Sequence, residues 1–90
     1  MLKIEITRQY KKDLKRYLHH KYFIKELNDL IMCLMKRESL DPRHKDHFLK
    51  GNWINHRECH VRNDILLIYR IDEKNQLIFL ERLGSHSELF

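Results

Sequence analysis

The run Ile65-Leu66-Leu67-Ile68-Tyr69 restricts the fold more than any other stretch of the chain. It is apolar throughout, shows no alternation, and is bounded by Asn63-Asp64 on one side and the polar stretch Asp72-Glu73-Lys74-Asn75 on the other. A run this short between turn signals reads as a strand buried on both faces, which belongs in the middle of a sheet. Its neighbours follow from the same reading. Arg57 to Val61 and Leu77 to Leu83 are strands, with turns near Arg62–Asn63 and near Glu73–Lys74, and Gly84 stops the last one. From Glu58 onward the chain is thus a three-stranded antiparallel meander. Leu2-Lys3-Ile4-Glu5-Ile6 alternates as an edge strand does, and His47-Phe48-Leu49 is a short strand running into a turn at Gly51.

Two helices supply the cover. Thr7 is the N-cap of a first helix over residues 8–19. At 100° per residue, Tyr10, Leu14, Tyr17 and Leu18 fall on one arc about 100° wide, with Arg8, Lys11, Lys12, Lys15 and Arg16 opposite. A second helix, over residues 22–37, gathers Phe23, Ile24, Leu27, Leu30, Ile31, Leu34 and Met35 within about 140° and leaves Cys33 on the outer side. Asp41-Pro42 ends the helical region, because the residue before proline avoids helical dihedrals. Residues 39–46 read as a loop, and residues 85–90 as a short tail with one helical turn. The order β-α-α-β-β-β-β predicts a single α+β domain over residues 1–90, with two helices packed on one face of a small, mainly antiparallel, twisted sheet. The opposite face is expected to be concave and partly open.

Charge and cysteines narrow the classes of function. The chain has 18 Lys and Arg against 13 Asp and Glu, a net +5, and residues 1–50 hold the whole excess at +6 against −1 for residues 51–90. A basic half beside a near-neutral half suggests an electrostatic face for an anionic partner, the competing reading being ordinary solubilising charge. The cations on the first helix, Arg8, Lys11, Lys12, Lys15 and Arg16, are the part of that face most suited to nucleic acid. Cys33 and Cys59, with no leader segment, fit a reducing cytoplasm better than a disulfide scaffold. No apolar run approaches the roughly eighteen residues that cross a membrane.

Polar groups suited to phosphate chemistry collect in the second half: His47, His60, Asp64, Arg82 and His86. In the meander, His60, Ile65 and Arg82 are expected side by side. With strands roughly 4.8 Å apart, His60 and Arg82 would flank a gap of roughly 10 Å that takes one phosphate. A shift of one residue would turn one of them to the other face. Other chemistries fit less well. His56 and His60 lie on one strand face but roughly 13 Å apart, too far to share a metal, and Pro42 and Gly51 argue against a chelating helix through His44 and His47. Cys59 and His60 point to opposite faces, which rules them out as a nucleophile–base pair. General acid–base cleavage of a phosphodiester remains. Histidine, with an unperturbed pKa of roughly 6.5, serves as acid or base. Arginine offers a fork of donors matched to phosphate oxygens. The chemistry requires no metal and no cofactor. His60, His47 and Asp64 all stand open as the general base.

These residues carry a resemblance. Lys45-Asp-His-x-Leu-x-Gly51, Arg57-x-x-His-Val61, Asp64 and Glu81-Arg-x-Gly-x-His86 ending in Leu89-Phe90 resemble the RelE/ParE toxin superfamily of bacterial toxin–antitoxin systems, in its YafQ-like branch. The resemblance covers nearly the whole chain. It implies an endoribonuclease that cuts messenger RNA at the ribosome and is silenced by a cognate antitoxin, an acidic and partly disordered chain whose complex with the toxin binds operator DNA. It also implies an active site of His47, His60, Asp64, Arg82, His86 and Phe90, with His86 as general acid. Ile65 stands where the branch's best-known member has an aromatic residue, which leaves Trp53 and Phe90 as stacking surfaces. The alternative reading is a non-catalytic toxin like the ParE branch that blocks a protein target such as gyrase; such a binding module has no use for the histidine set.

Overall fold

The structure is a computed structural model describing all residues from Met1 to Phe90. Its elements are β1 (Lys3–Ile6), α1 (Arg8–Lys15), α2 (Lys21–Met35), β2 (His47–Phe48), β3 (Arg57–Arg62), β4 (Ile65–Asp72), β5 (Leu77–Gly84) and α3 (His86–Leu89). Short 3₁₀ turns span Pro42–His44 and Gly51–Trp53. The five strands form one sheet in the order β1-β5-β4-β3-β2, antiparallel except for β1, which runs parallel to β5. This is the expected α+β order, with the terminal turn formed as α3.

Thr7 caps α1 as anticipated, its hydroxyl accepting from the Tyr10 N–H. The helix stops at Lys15, short of the expected residue 19. There the N–H of Arg16 bonds Asp13 O and that of Tyr17 bonds Leu14 O, three-residue spacings that tighten the last turn. Leu18 therefore leaves the apolar arc and is exposed, a departure from the helical-wheel reading. Cys33 is also less open than expected, half-buried on α2.

The run in β4 is buried on both faces, as its composition demanded. Leu67 and Tyr69 face the helices and join Phe23, Leu27, Leu30, Ile31 and Leu34 of α2, with Tyr10 of α1, in the main core. Leu66 and Ile68 face the other way and form a smaller core with Leu89 of α3, flanked by Leu49 and Trp53. The second face is thus roofed at one end by α3 and by the chain around Trp53 and stays open beyond them. Cys59 packs in the main core, and burial pushes its thiol well above the usual range, so it is no nucleophile.

Registers differ from the regular meander, and bulges are the reason. His60 pairs with Leu66, and Leu66 with Gly84; Glu58 pairs with Ile68, and Ile68 with Arg82. Arg82 therefore does not share a row with His60 and Ile65. It lies one pleat repeat away, in the row of Glu58, which β2 extends through the pair His47–Glu58. Ile65 pairs with Arg62 and packs against the main core rather than between the two site residues. Glu81 is the extra residue where Tyr69 pairs with Leu80 but Ile68 with Arg82. Strict alternation would put Arg82 on the same face as Ile78 and Leu80; the bulge lets Leu80 and Leu83 both enter the main core and returns Arg82 to the open face.

Candidate functional site

One row across the open face runs His47, Glu58, Ile68, Arg82. Glu58 is buried at 6 % exposure, yet its carboxylate meets only one side-chain group, His47 Nε2 at 3.1 Å from Oε2. Its other oxygen, Oε1, has no hydrogen-bond partner in the protein. A buried polar atom in that state costs about 1–3 kcal/mol, so its retention points to use. His47 Nδ1 donates to the Lys45 carbonyl at 2.6 Å, made possible by Lys45 in the left-handed region at φ 47°. With Nδ1 so engaged, Nε2 is the ring nitrogen turned to Glu58.

β2 is only two residues long and is anchored from the reverse side of the sheet. The Tyr69 hydroxyl donates to Asp46 Oδ1 at 2.6 Å, and Arg57 bridges to the same carboxylate, Nη2 lying 3.1 Å from Oδ2. The Arg57 guanidinium also sits 4.3 Å over the Phe48 ring. Burial, then the bond to Asp46, push the Tyr69 phenol far above its usual range, so it remains a donor at any working pH.

Arg82 is held at the far end of the row by Asp13 of α1. Arg82 Nε donates to Asp13 Oδ2 at 2.8 Å, and the Leu83 N–H reaches the same oxygen at 3.0 Å. β1 ends at Ile6, opposite Leu80, so Asp13 takes over as partner for the β5 edge beyond it. Burial alone would raise the Asp13 pKa, but the hydrogen bonds from Arg82, Leu83 and Gln9 and the Arg82 charge outweigh it and hold the carboxyl below its usual range. A depressed folded pKa means that this stabilisation is complete above the unfolded value of roughly 3.9 and is lost as pH falls through the folded pKa. Asp13→Asn should therefore show a shallower loss of stability than wild type below about pH 4, read as urea midpoint against pH.

The remaining residues surround this row. His60 is half-buried, its Nδ1 at 3.3 Å from the Asn63 carbonyl, which leaves Nε2 as the free nitrogen. His44 fixes the strand there by donating from Nδ1 to the His60 carbonyl at 2.6 Å. Asp64 is exposed in the turn between β3 and β4. His86 and Phe90 come from α3, which a Ser85–Glu88 capping box sets in place. Their i, i+4 spacing stacks the two rings 4.8 Å apart, and Phe90 lies edge-on to Trp53 at 6.4 Å. Gly84 permits this, because a Cβ there would stand 3.2 Å from Glu88 Oε1 and 3.3 Å from Leu89 Cδ2. His47 and Arg82 thus share the row, His60 lies a row away, His86 and Phe90 come in from α3, and Asp64 sits apart in the turn, beside residues of α2. A groove of about 800 Å³ lies beside this row rather than over it, between α2 and the loop from Ser39, reaching His60 and Asp64. Sequence reasoning missed Glu58 and Asp13. The signal for Glu58 was its parity with His60, two residues along the same strand.

Residues 2–90 match the family model described as bacterial toxin of type II toxin-antitoxin system, YafQ. The chain belongs to the YafQ toxin family. It is 36% identical over 88 residues to the mRNA interferase toxin YafQ of Escherichia coli K12, covering 97% of this chain and 94% of that one. A metal-bound toxin from Helicobacter pylori superposes with a TM-score of 0.92 at 43% identity, over 100% of both chains. YafQ in the E. coli DinJ-YafQ complex superposes at 0.87 with 32% identity, covering 100% of this chain and 99% of that one. A copper-bound mutant of an H. pylori toxin is similar at TM-score 0.91. In this member of the YafQ family no three His, Cys, Asp or Glu side chains stand close enough to share an ion.

Proposed function

We propose that this protein is the toxin of a type II pair and acts as a metal-independent endoribonuclease on messenger RNA in the ribosome. The observation that carries this reading is the unpartnered, buried Glu58 carboxylate oxygen, which shares its face with His47, His60, Arg82 and His86. The family and its mRNA interferase relatives support the toxin and mRNA-cleavage part of it. In the proposed reaction Glu58, backed by His47, takes the proton of the RNA 2′-hydroxyl, ahead of His60 and Asp64 for that role. The 2′-oxygen attacks the adjacent phosphorus and the bond to the 5′-oxygen breaks. Arg82 donates to the phosphate oxygens as charge develops, with His60 beside it and its Nε2 free. His86 protonates the departing 5′-oxygen, leaving a 2′,3′-cyclic phosphate. Phe90, half-exposed beside Trp53, takes a nucleobase by stacking, and Asp64 accepts from ribose or base donors. The deciding experiment is cleavage of a defined mRNA alone and on ribosomes, with and without EDTA. Cutting only on ribosomes, with EDTA acting solely through ribosome integrity, is the expected result; a requirement for added metal on intact ribosomes would overturn it.

Arg8, Lys11, Lys12 and Lys15 are exposed and make no ion pairs, whereas Arg16 is tied to Glu88 at 2.6 Å. Replacing Lys11, Lys12, Lys15 and Arg16 with Gln should weaken ribosome binding. Every phosphate that no longer meets a cation should reduce the slope of log affinity against log salt by roughly 0.7–0.9, with Arg16 contributing least. A slope identical to wild type would mean that this face is only solvated. The partner proposed for the toxin is a cognate antitoxin, which the DinJ complex of the E. coli relative supports, and the basic N-terminal half favours an acidic, partly disordered one.

A further inference from the structure

Asp13 is the one carboxylate sealed completely from solvent, its side chain 0% exposed, and the proposed chemistry makes no direct use of it. Its oxygens are fully engaged: Oδ2 by Arg82 Nε at 2.8 Å and the Leu83 N–H at 3.0 Å, Oδ1 by Gln9 Nε2 at 3.1 Å and Arg82 Nη2 at 3.4 Å. A group so fixed cannot follow its partner; the partner must follow it. Both contacts to Arg82 fall on the Nε–Nη2 edge of the guanidinium. The other edge, with Nη1 and the outer N–H of Nη2, stays free for an acceptor.

We infer that Asp13 is a positioning residue for the proposed cleavage, fixing Arg82 by one edge so that its free edge meets the scissile phosphate. The inference rests on the reading of this face as the ribonuclease site. Arg82 lies in the row of Glu58 and His47, and a long side chain at the end of that row would otherwise sample many rotamers. Asp13 removes that freedom before substrate arrives, the form of preorganisation that raises rate without needing extra binding. The pair is neutral as a whole, so Asp13 does not add to long-range attraction for RNA; it diminishes it. That sets up a split between kinetic constants. Removing the Asp13 charge should slow the chemical step while leaving binding unchanged or tighter. A carboxylate that merely stabilises the fold has no reason to produce this pattern.

The test is cleavage of ribosome-bound mRNA by four folded, antitoxin-binding proteins: wild type, Asp13→Asn, Arg82→Ala and the double variant. Asp13→Asn should lower kcat by about 10- to 100-fold with KM unchanged or reduced. Arg82→Ala should lower kcat by about 10²- to 10³-fold, and the double variant should fall no further than Arg82→Ala alone. Equal fold-losses from Asp13→Asn in both backgrounds, or a raised KM at wild-type kcat, overturn the inference. Should Asp13→Asn fail to fold, wild type still answers. By NMR of the free protein, the Arg82 Nε–H should exchange slowly with solvent and remain protected when a short non-cleavable RNA analogue is added; exchange as fast as in free arginine overturns the inference. Wild-type rates in Arg82→Ala instead bring down the reading of the site itself, whereas a slow Arg82→Ala beside a fully active Asp13→Asn removes only the role of Asp13.

Discussion

His86→Ala should slow cleavage of ribosome-bound mRNA by roughly 10²- to 10⁴-fold while the protein folds as before. The size follows from the role. An alkoxide leaving from phosphorus is a poor leaving group, and a positioned acid that protonates it contributes that range. The intact fold follows from the place of the residue. His86 is exposed at the first position of α3, and its ring contacts Phe90 rather than either core. The helix is held instead by the Ser85–Glu88 capping box, by Leu89 against Leu66 and Ile68, and by Glu88 to Arg16. Truncation at Cβ leaves all of these. Antitoxin binding and thermal midpoint should match wild type, and residual product should still carry a 2′,3′-cyclic phosphate. The measurement is a single-turnover rate on folded protein. A wild-type rate would remove His86 from the reaction and move the proton donor to His60, the other ring with a free Nε2 on this face.

How much of this was legible in the sequence depends on how local each determinant is. β4 declared itself because five apolar residues in a row have only one economical placement, and α2 because its apolar positions repeat at helical spacing over four turns. The order of strands followed from short turns. Registers did not, since Glu81 looks like any residue in a strand and becomes a bulge only because Leu80 and Leu83 are both drawn into the core. Arg82 was therefore placed beside the wrong neighbour although its membership of the open face was right. Asp13 was illegible for a related reason. On a helical wheel it belongs with polar residues, and nothing within α1 reveals that a strand edge seventy residues later lacks an acceptor. Glu58 was passed over because an acid beside an arginine in a strand usually reads as surface charge; only the pairing of β2 with β3 buries it under His47. The resemblance named the candidate site residues, while their mutual geometry comes from bulges and from a two-residue strand.

Glu58→Gln should abolish most activity and cost the fold little or nothing. The substitution keeps shape and keeps a partner for His47 Nε2, now 3.1 Å from a carboxylate oxygen. It removes a buried negative charge whose Oε1 has no partner, a burden of about 1–3 kcal/mol in the wild type, so the thermal midpoint should hold or rise. The rate should fall by roughly 10²- to 10⁴-fold, because an amide cannot take the proton of the 2′-hydroxyl. Loss of rate with retained or increased stability is the pattern expected of a strained functional group rather than a structural one. Glu58→Asp keeps the charge but withdraws it by one methylene, and should sit between the two, since misplacement by about 1 Å costs up to about 10²-fold. His47→Ala should resemble Glu58→Asp more than Glu58→Gln, because it releases the carboxylate without destroying it. The ordering of the three variants is what the assignment stands on. Glu58→Gln cutting at the wild-type rate would return the role of base to His60, and Glu58→Gln that is both slow and unstable would make Glu58 a packing residue of the row between His47 and Arg82.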